Sequence, residues 1–337
     1  MAIIREVHAQ SESWQVFCAE QAAPTLFQSP QWSAALERTY GFFMGGLIAL
    51  EGDRVVAGMP YAQINDFRGG RRVTLPFSDN VEALPEQSWG IFEAYIAASG
   101  IPWSVRTRNV PTSLAGSQRE AAQHHLIELP ETFEAAASSF HLKHRQNYQQ
   151  AQRAGLTVER GGVELLPTFY ALHTQVRRSK HGLLPQGLTF FTNICDVFFP
   201  EHGFILVAKD REQPVSAMFF LRYRDVLYYK FSASALDALR VRPNHFLITK
   251  AIEIAIEERM KALDLGISDA EGLIRFKQRI GGRASTVHAA TYNAHDKSDA
   301  VKSLEQTLGD LTKLLTSEGL PDETVQKGGE ILYRFFT

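Results

Sequence analysis

Apolar residues run almost unbroken through LIAL at 47–50 and alternate with small and polar ones through RVVAGMPYAQIN, and Gly52-Asp53 between them reads as a hairpin turn. Before this hairpin the pattern predicts a strand over 2–7 and two helices, SESWQVFCAEQA and PQWSAALERTYG, the second opening on Pro30 and stopping at Gly41. After it come a third strand, RRVTLPFSDN, entered through Gly69-Gly70, a helix over about 85–98, and the strands WSVRTR and HHLIEL.

A second series then repeats the order. Helices over about 132–154, 163–180 and 187–199 lead to LVAKDREQPVSAM, which superposes on LIALEGDRVVAGM at one constant offset, matching Ala49 with Ala208, Val56 with Val215 and Met59 with Met218. The strand DVLYYKFSAS, the helix HFLITKAIEIAIEERM with its apolar face of Ile248, Ile252, Ala255 and Ile256, the short strand ALDLG and a basic helix ended by Gly281-Gly282 complete the series. The expected architecture is α/β, more closely α+β, built by internal duplication, each half a mixed, mostly antiparallel sheet flanked by helices. Its expected divisions are 1–130, 131–295 and a pair of helices over 296–337 that pack back on the body to cover Phe335 and Phe336.

With 337 residues, 45% of them apolar, the chain can bury more than one core. A formal charge of −2 argues against wholesale nucleic-acid or membrane binding, but residues 141–283 are net positive, which suits phosphate groups on a ligand. Cys18 and Cys195 are too few for a disulfide framework, and Cys195, inside FFTNICDVFF, reads as core. The N-terminal stretch lacks a leader pattern and no apolar run approaches a membrane span, so a cytoplasmic protein is expected, with peripheral membrane contact left open. Neither His124-His125 nor His141 and His144 has further ligands at metal spacing, and no metal is expected.

Three stretches carry candidate chemistry. In ALDLG, Asp264 ends a buried strand and needs a partner, expected among Glu271, Arg275 and Lys277 of the next helix. Pro243 and Asn244 open a long helix whose free N–H groups, with Arg240, Arg242 and His245 beside them, offer a phosphate site; a plain capped helix is the other reading. In FHLKHRQNYQQAQRAG, helical spacing puts Lys143, Asn147 and Gln150 on one face and Arg145 and Gln149 on the next. That polar, cationic surface either grips an anionic ligand or is simply solvated.

In this order, FHLKHRQNYQQAQRAGLTVE, VRPNHFLITKAIEIAIE and LDLGIS…GLIRFKQRIGG resemble the Fem family of aminoacyl and peptidyl transferases and their relatives with two GNAT-like acetyltransferase domains. LFQSPQWSAALERTYG and LPFSDN are similar to the first domain of that group, so the resemblance spans nearly the whole chain. It implies tandem GNAT-like domains and transfer of an acyl group to an amine, from an acyl-coenzyme A or an aminoacyl-tRNA. In the Fem branch the acceptor is a peptidoglycan precursor, so a lipid-linked or small-molecule envelope precursor, of peptidoglycan or exopolysaccharide, is the implied partner.

Carried onto this sequence, Lys277 matches the lysine of the F-K segment and would stabilise developing charge, next to Phe276. Arg145 and Asn147 match the R-x-N helix and would lie near an inter-domain cleft with Asp79 of LPFSDN as substrate-binding groups. Tyr229, Lys230, Arg242, Asn244 and His245 fall on the strand and helix that frame the donor channel of GNAT-like folds. An amine can attack an activated ester or thioester directly if its proton is removed and the oxyanion held; His245, Asp264 and Asp269 are the candidate bases. Two departures leave both donors open: the helical arm of some Fem enzymes is missing, which weakens the tRNA case, and the turn before Pro243 lacks the glycine pattern that holds coenzyme A pyrophosphate. The alternatives are a coenzyme A-dependent N-acyltransferase acting on a small amine or amino sugar, and a tandem GNAT-like protein that binds without catalysis.

Overall fold

The computed structural model describes residues 2–21, 25–109 and 116–336. Its contacts gather into two compact units, one from residues 1–123 with 285–306, the other from 124–284 with 307–336.

The first unit runs β1 (Ile3–His8), α1 (Glu12–Glu20), α2 (Pro30–Tyr40), β2 (Phe43–Glu51), β3 (Arg54–Asp66), β4 (Gly69–Val73), α3 (Trp89–Ala98) and β5 (Trp103–Thr107). The strand β6 (Gly116–Glu128) carries the chain into the second unit: α4 (Phe133–Ser139), α5 (Leu142–Arg153), β7 (Thr157–Gly161), α6 (Leu166–His181), α7 (Leu188–Phe198), β8 (Gly203–Asp210), β9 (Gln213–Tyr223), β10 (Val226–Ser234), α8 (Pro243–Glu257), β11 (Ala262–Ser268) and α9 (Glu271–Arg279). Then come β12 (Arg283–Tyr292), α10 (Asp299–Leu315) and α11 (Asp322–Leu332).

Strand order is β1-β2-β3-β4-β5-β12 in the first unit and β6-β11-β10-β9-β8-β7 in the second. Neighbours β1 to β4 are antiparallel and β4 and β5 parallel; β7 to β10 are antiparallel and β10 and β11 parallel. The repeat read from the sequence extends to the register. Leu47 pairs with Met59 and Ala49 with Ala57, and the ladder slips after Ala49; Leu206 pairs with Met218 and Ala208 with Ser216, and the ladder slips after Ala208. A register slip at the matching step of both hairpins is a built feature of the repeat.

The second unit's core forms where α8 lies on the sheet. Leu247, Ile248, Ala251, Ile252 and Ala255 are buried against Leu206, Met218, Phe220, Leu227, Leu263 and Leu265. Each large side chain so buried contributes about 1.5–3 kcal/mol. On the other face Phe169, Phe190, Phe191 and Phe219 pack edge to face with Phe231 or with one another. Cys195 is buried too, and burial first, then the charge of Asp196, pushes its thiol up to about 12, as expected of a core cysteine.

Several expectations need correction. The helix over 132–154 is two helices: Phe140 is extended, and His141 caps α5, its Nδ1 accepting from Lys143 N at 3.0 Å. The strand RRVTLPFSDN ends at Val73, because Pro76 has no N–H to donate and Leu75 and Phe77 on either side adopt positive φ. β7 was missed, being a short strand with mostly exposed side chains and no apolar alternation. At the C-terminal end Tyr333 is the buried aromatic, while Phe336 is 43% exposed.

Candidate active site

In the second unit β10 and β11 pair over Val226↔Ala262, Leu227↔Leu263 and Tyr228↔Asp264, where their ladder ends. Each strand departs for a local reason. In β10 the pairing with β9 slips between Tyr229 and Phe231, making Lys230 an inserted residue that bends the strand. In β11, Gly266 adopts φ 68°, which glycine reaches without the Cβ clash that any other L-residue meets. Together the bulge and the left-handed glycine open a gap between two strands that start out paired.

The glycine is held on both sides. Asp264 Oδ1 accepts from Gly266 N at 2.7 Å, and Lys277 Nζ donates to Gly266 O at 3.0 Å and Ile267 O at 2.9 Å. Lys277 reaches these carbonyls from the last turn of α9, and Gly282 makes that packing possible, since a Cβ there would stand 2.7 Å from Lys277 O. The partner of Asp264 is not on α9. His124 Nε2 of β6 donates to both carboxylate oxygens at 2.9 and 3.0 Å, while Arg275 pairs with Glu271 on the surface. Burial alone would raise the Asp264 carboxyl, but His124, the Gly266 N–H and the charge of Lys230 together hold it below its ordinary value.

A second buried polar chain lies where α5 crosses the start of α8. The Thr249 hydroxyl donates to His245 O at 2.8 Å, so it accepts from His144 Nε2 at 2.9 Å. His144 Nδ1 is then the acceptor for His245 Nδ1–H at 2.7 Å, and His245 Nε2 accepts from Asn147 Nδ2 at 2.9 Å. Every ring nitrogen is used. Burial keeps both rings neutral, pushing His144 down to about 3 with the His245 charge acting the same way, and His245 down to about 4, helped by Arg242, Arg279 and Lys143. Those three cations come from three places on the chain and make no ion pair with any described residue. Arg242, left-handed at φ 60°, reaches Gln150 Oε1 at 3.4 Å, and Gln150 Nε2 donates to Arg240 O at 2.9 Å.

Of the candidate residues, Lys277, Asp264, Lys230, Tyr229, His245, Phe276, Asn147, Asn244 and Arg242 all lie in the second unit. Phe276 stands edge-on to His245 with centroids 5.1 Å apart, and the Tyr229 ring rests on Phe220, burial pushing its phenol up. Asn244 Oδ1 accepts from Ser234 Oγ at 2.5 Å and Ser216 Oγ at 3.1 Å, so that carbonyl ties the helix start to β9 and β10. Arg145 and Asn147, both expected as substrate-binding groups and on different faces of one helix, part accordingly: Asn147 is buried against α8, where it donates to His245, and Arg145 is exposed. Asp79 lies in the first unit, between Ser78, whose Oγ accepts from Trp32 Nε1, and Asn80, which donates to Glu82. Sequence reasoning missed His124, His144 and Thr249. Only the rule that a buried carboxylate or imidazole needs a partner pointed towards them.

Residues 138–278, from the end of α4 to the last turn of α9, match the acetyltransferase (GNAT) domain family. This stretch, under half of the chain, is similar to GNAT domains. The match supports an acyltransferase, and the gap between β10 and β11 lies within the matched stretch. No curated protein matches the chain. A crystal structure of FemX is 13% identical, with 85% of this chain and 96% of that one covered and a TM-score of 0.63. A tandem GNAT protein from the clavulanic acid biosynthesis pathway is 10% identical, covering 88% and 100%, with a TM-score of 0.57. The C-terminal domain of a putative lysylphosphatidylglycerol synthetase from Agrobacterium fabrum is 12% identical, covering 87% and 94%, with a TM-score of 0.54. At these identities the likeness is one of fold, and the fold is that of Fem-like, tandem GNAT proteins. Among the described residues no cluster of three metal-ligating side chains occurs, and no helix is long and apolar enough to cross a membrane.

Proposed function

We propose that the chain transfers an acyl or aminoacyl group from a phosphate-bearing donor to an amine of a cell-envelope precursor, with the reacting carbonyl in the gap between β10 and β11. The gap is the observation that carries this reading, since the two strands stop pairing after Tyr228 and Asp264 beside the start of α8, which Asn244 ties to the end of β10, within the stretch similar to GNAT domains. The unpaired charges of Lys143, Arg242 and Arg279 support an anionic donor. Envelope chemistry rests on the Fem resemblance and on the lysylphosphatidylglycerol synthetase among the structural neighbours, whose name joins an amino acid to a phospholipid.

The amine attacks the donor carbonyl, the C–N bond forms, and the tetrahedral oxyanion collapses to expel a thiol or a ribose hydroxyl. Backbone N–H groups at the gap hold the oxyanion, a role typically worth about 3 kcal/mol. Two of the three N–H bonds of Lys277 are committed to Gly266 and Ile267, so it acts on the developing charge through its field. Asp264 and His245 have their acceptor atoms occupied within the fold. Asp269, exposed just beyond β11 and making no hydrogen bond with a described residue, takes the proton of the amine.

A coenzyme A-dependent transfer to a small amine or amino sugar is the second reading, favoured by the match to acetyltransferase domains and opposed by the glycine-free turn over 237–242. The binding-only reading draws on the internal bonding of Asp264, Lys277 and His245. Turnover assays with acetyl-coenzyme A and with charged tRNA, each offered a stem peptide with a free side-chain amine and glucosamine, separate the three. Product from charged tRNA on the peptide supports the first reading, product from the thioester on glucosamine the second. Binding of either donor without any product would sink both.

A further inference from the structure

The donor gap depends on a backbone conformation that two side chains hold directly and a third holds at one remove. Gly266 is left-handed because its N–H is taken by Asp264 and its C=O by Lys277. The Asp264 carboxylate is itself aimed by His124, which donates to both of its oxygens from β6. His124 and Asp264 are 6% and 7% exposed, so water does not substitute for either partner. A buried carboxylate without the imidazole would turn to another donor or take up a proton, and Gly266 N–H would lose its fixed acceptor.

We propose that His124 is a positioning residue for the donor site: through Asp264 it fixes the left-handed peptide at Gly266 and with it the width of the gap between β10 and β11. The inference rests on the reading of that gap as the donor site. It gives His124 no contact with the donor. Because the imidazole acts through the carboxylate, replacing it by a side chain that still donates one hydrogen bond to Asp264 restores most of the effect, whereas removing the donor does not. A residue that merely fills space in β6 would show no such distinction between donors and non-donors.

The test uses the full chain with His124→Ala, His124→Gln and Asp264→Asn. Hydrogen exchange at Gly266, Ile267 and Ser268 is read beside that of β8 and β9, together with Tm and, with whichever of acetyl-coenzyme A or charged tRNA the unsubstituted protein turns over, kcat and KM. In His124→Ala the three amides exchange about tenfold faster or more while β8 and β9 keep their protection, and His124→Gln recovers most of the difference. Turnover, where it occurs, falls by a similar factor at a temperature well below Tm and recovers in the same variant. Unchanged protection at Gly266 in His124→Ala, or a loss spread evenly over the sheet that glutamine does not repair, overturns the inference. If the unsubstituted protein turns over neither donor, the function proposed above fails, and the exchange pattern still decides whether His124 holds the gap.

Discussion

Asp264 and Lys277 hold opposite sides of one residue: the carboxylate accepts the N–H of Gly266 and the ammonium donates to its C=O. Both side chains carry the charges expected of a catalytic pair, yet each is spent on keeping a strand bent. The bend frees the end of β11 from β10, so the two residues act on the site through its backbone.

Removing the carboxylate tests that arrangement. Asp264→Ala leaves His124 and Gly266 N–H without their acceptor in a buried setting, and breaking a buried pair from one side costs about 3–5 kcal/mol. Urea unfolding should show the midpoint falling with little change in slope. Asp264→Asn, which keeps one acceptor oxygen, should lose less.

Gly282→Ala should act from the other side. A Cβ would meet Lys277 O at 2.7 Å, and the last turn of α9 must shift to relieve it. Overpacking of this kind costs about 1–3 kcal/mol, and Lys277 would be carried away from the Gly266 and Ile267 carbonyls. A crystal structure of the variant with Lys277 Nζ still on both carbonyls would contradict this account.

Acid should destabilise the second unit well before its carboxylates titrate. His144, His245 and His173 are pushed down to about 3, 4 and 4 from an ordinary 6.5, in each case chiefly by burial. With folded values depressed, the unfolded chain binds protons that the native state refuses. The stability these groups permit is therefore complete above about pH 6.5 and is lost progressively as pH falls from there to the folded values, at about 1.4 kcal/mol per pH unit for each histidine. Asp264, also depressed, adds a further loss below its ordinary 3.8. Thermal melts between pH 7 and 4 should show the decline, and His144→Gln should make it shallower even if the variant is less stable at pH 7.

How much of this was legible in the sequence varies with the range of the interaction. The duplicated hairpins were readable because alternation and turn residues are local signals, and Ala49 and Ala208 do mark the same step in the two ladders. The grouping of Lys143, Asn147 and Gln150 on one helix face also followed from spacing alone, but the surface that receives Asn147 and Gln150 did not, since nothing local says that α5 crosses α8. The need of Asp264 for a partner was equally plain, whereas His124 lies 140 positions away on a strand whose neighbours only the folded sheet decides. Charge misled where it was nearest: Arg275 and Lys277 sit close in sequence to Asp264, and neither supplies its ion pair.

The cations around the start of α8 give the sharpest test of the donor. Lys143, Arg242 and Arg279 act together on His245, none makes an ion pair with a described residue, and Arg242 alone of the three has a side-chain hydrogen bond, to Gln150. Structural arginines and lysines are usually paired or spread over solvent; charges gathered on a helix N-terminus favour an anion in the same place. Replacing them singly by glutamine should leave the fold almost untouched, since no ion pair is broken, and should weaken donor binding by about threefold to tenfold each. If the donor is a nucleic acid, the slope of log K against log salt should also flatten by a little under one unit per charge removed. A thioester donor held by a pyrophosphate would show a much smaller salt slope for the same loss of affinity, so the three variants titrated at two salt concentrations distinguish the donors even before a product is identified.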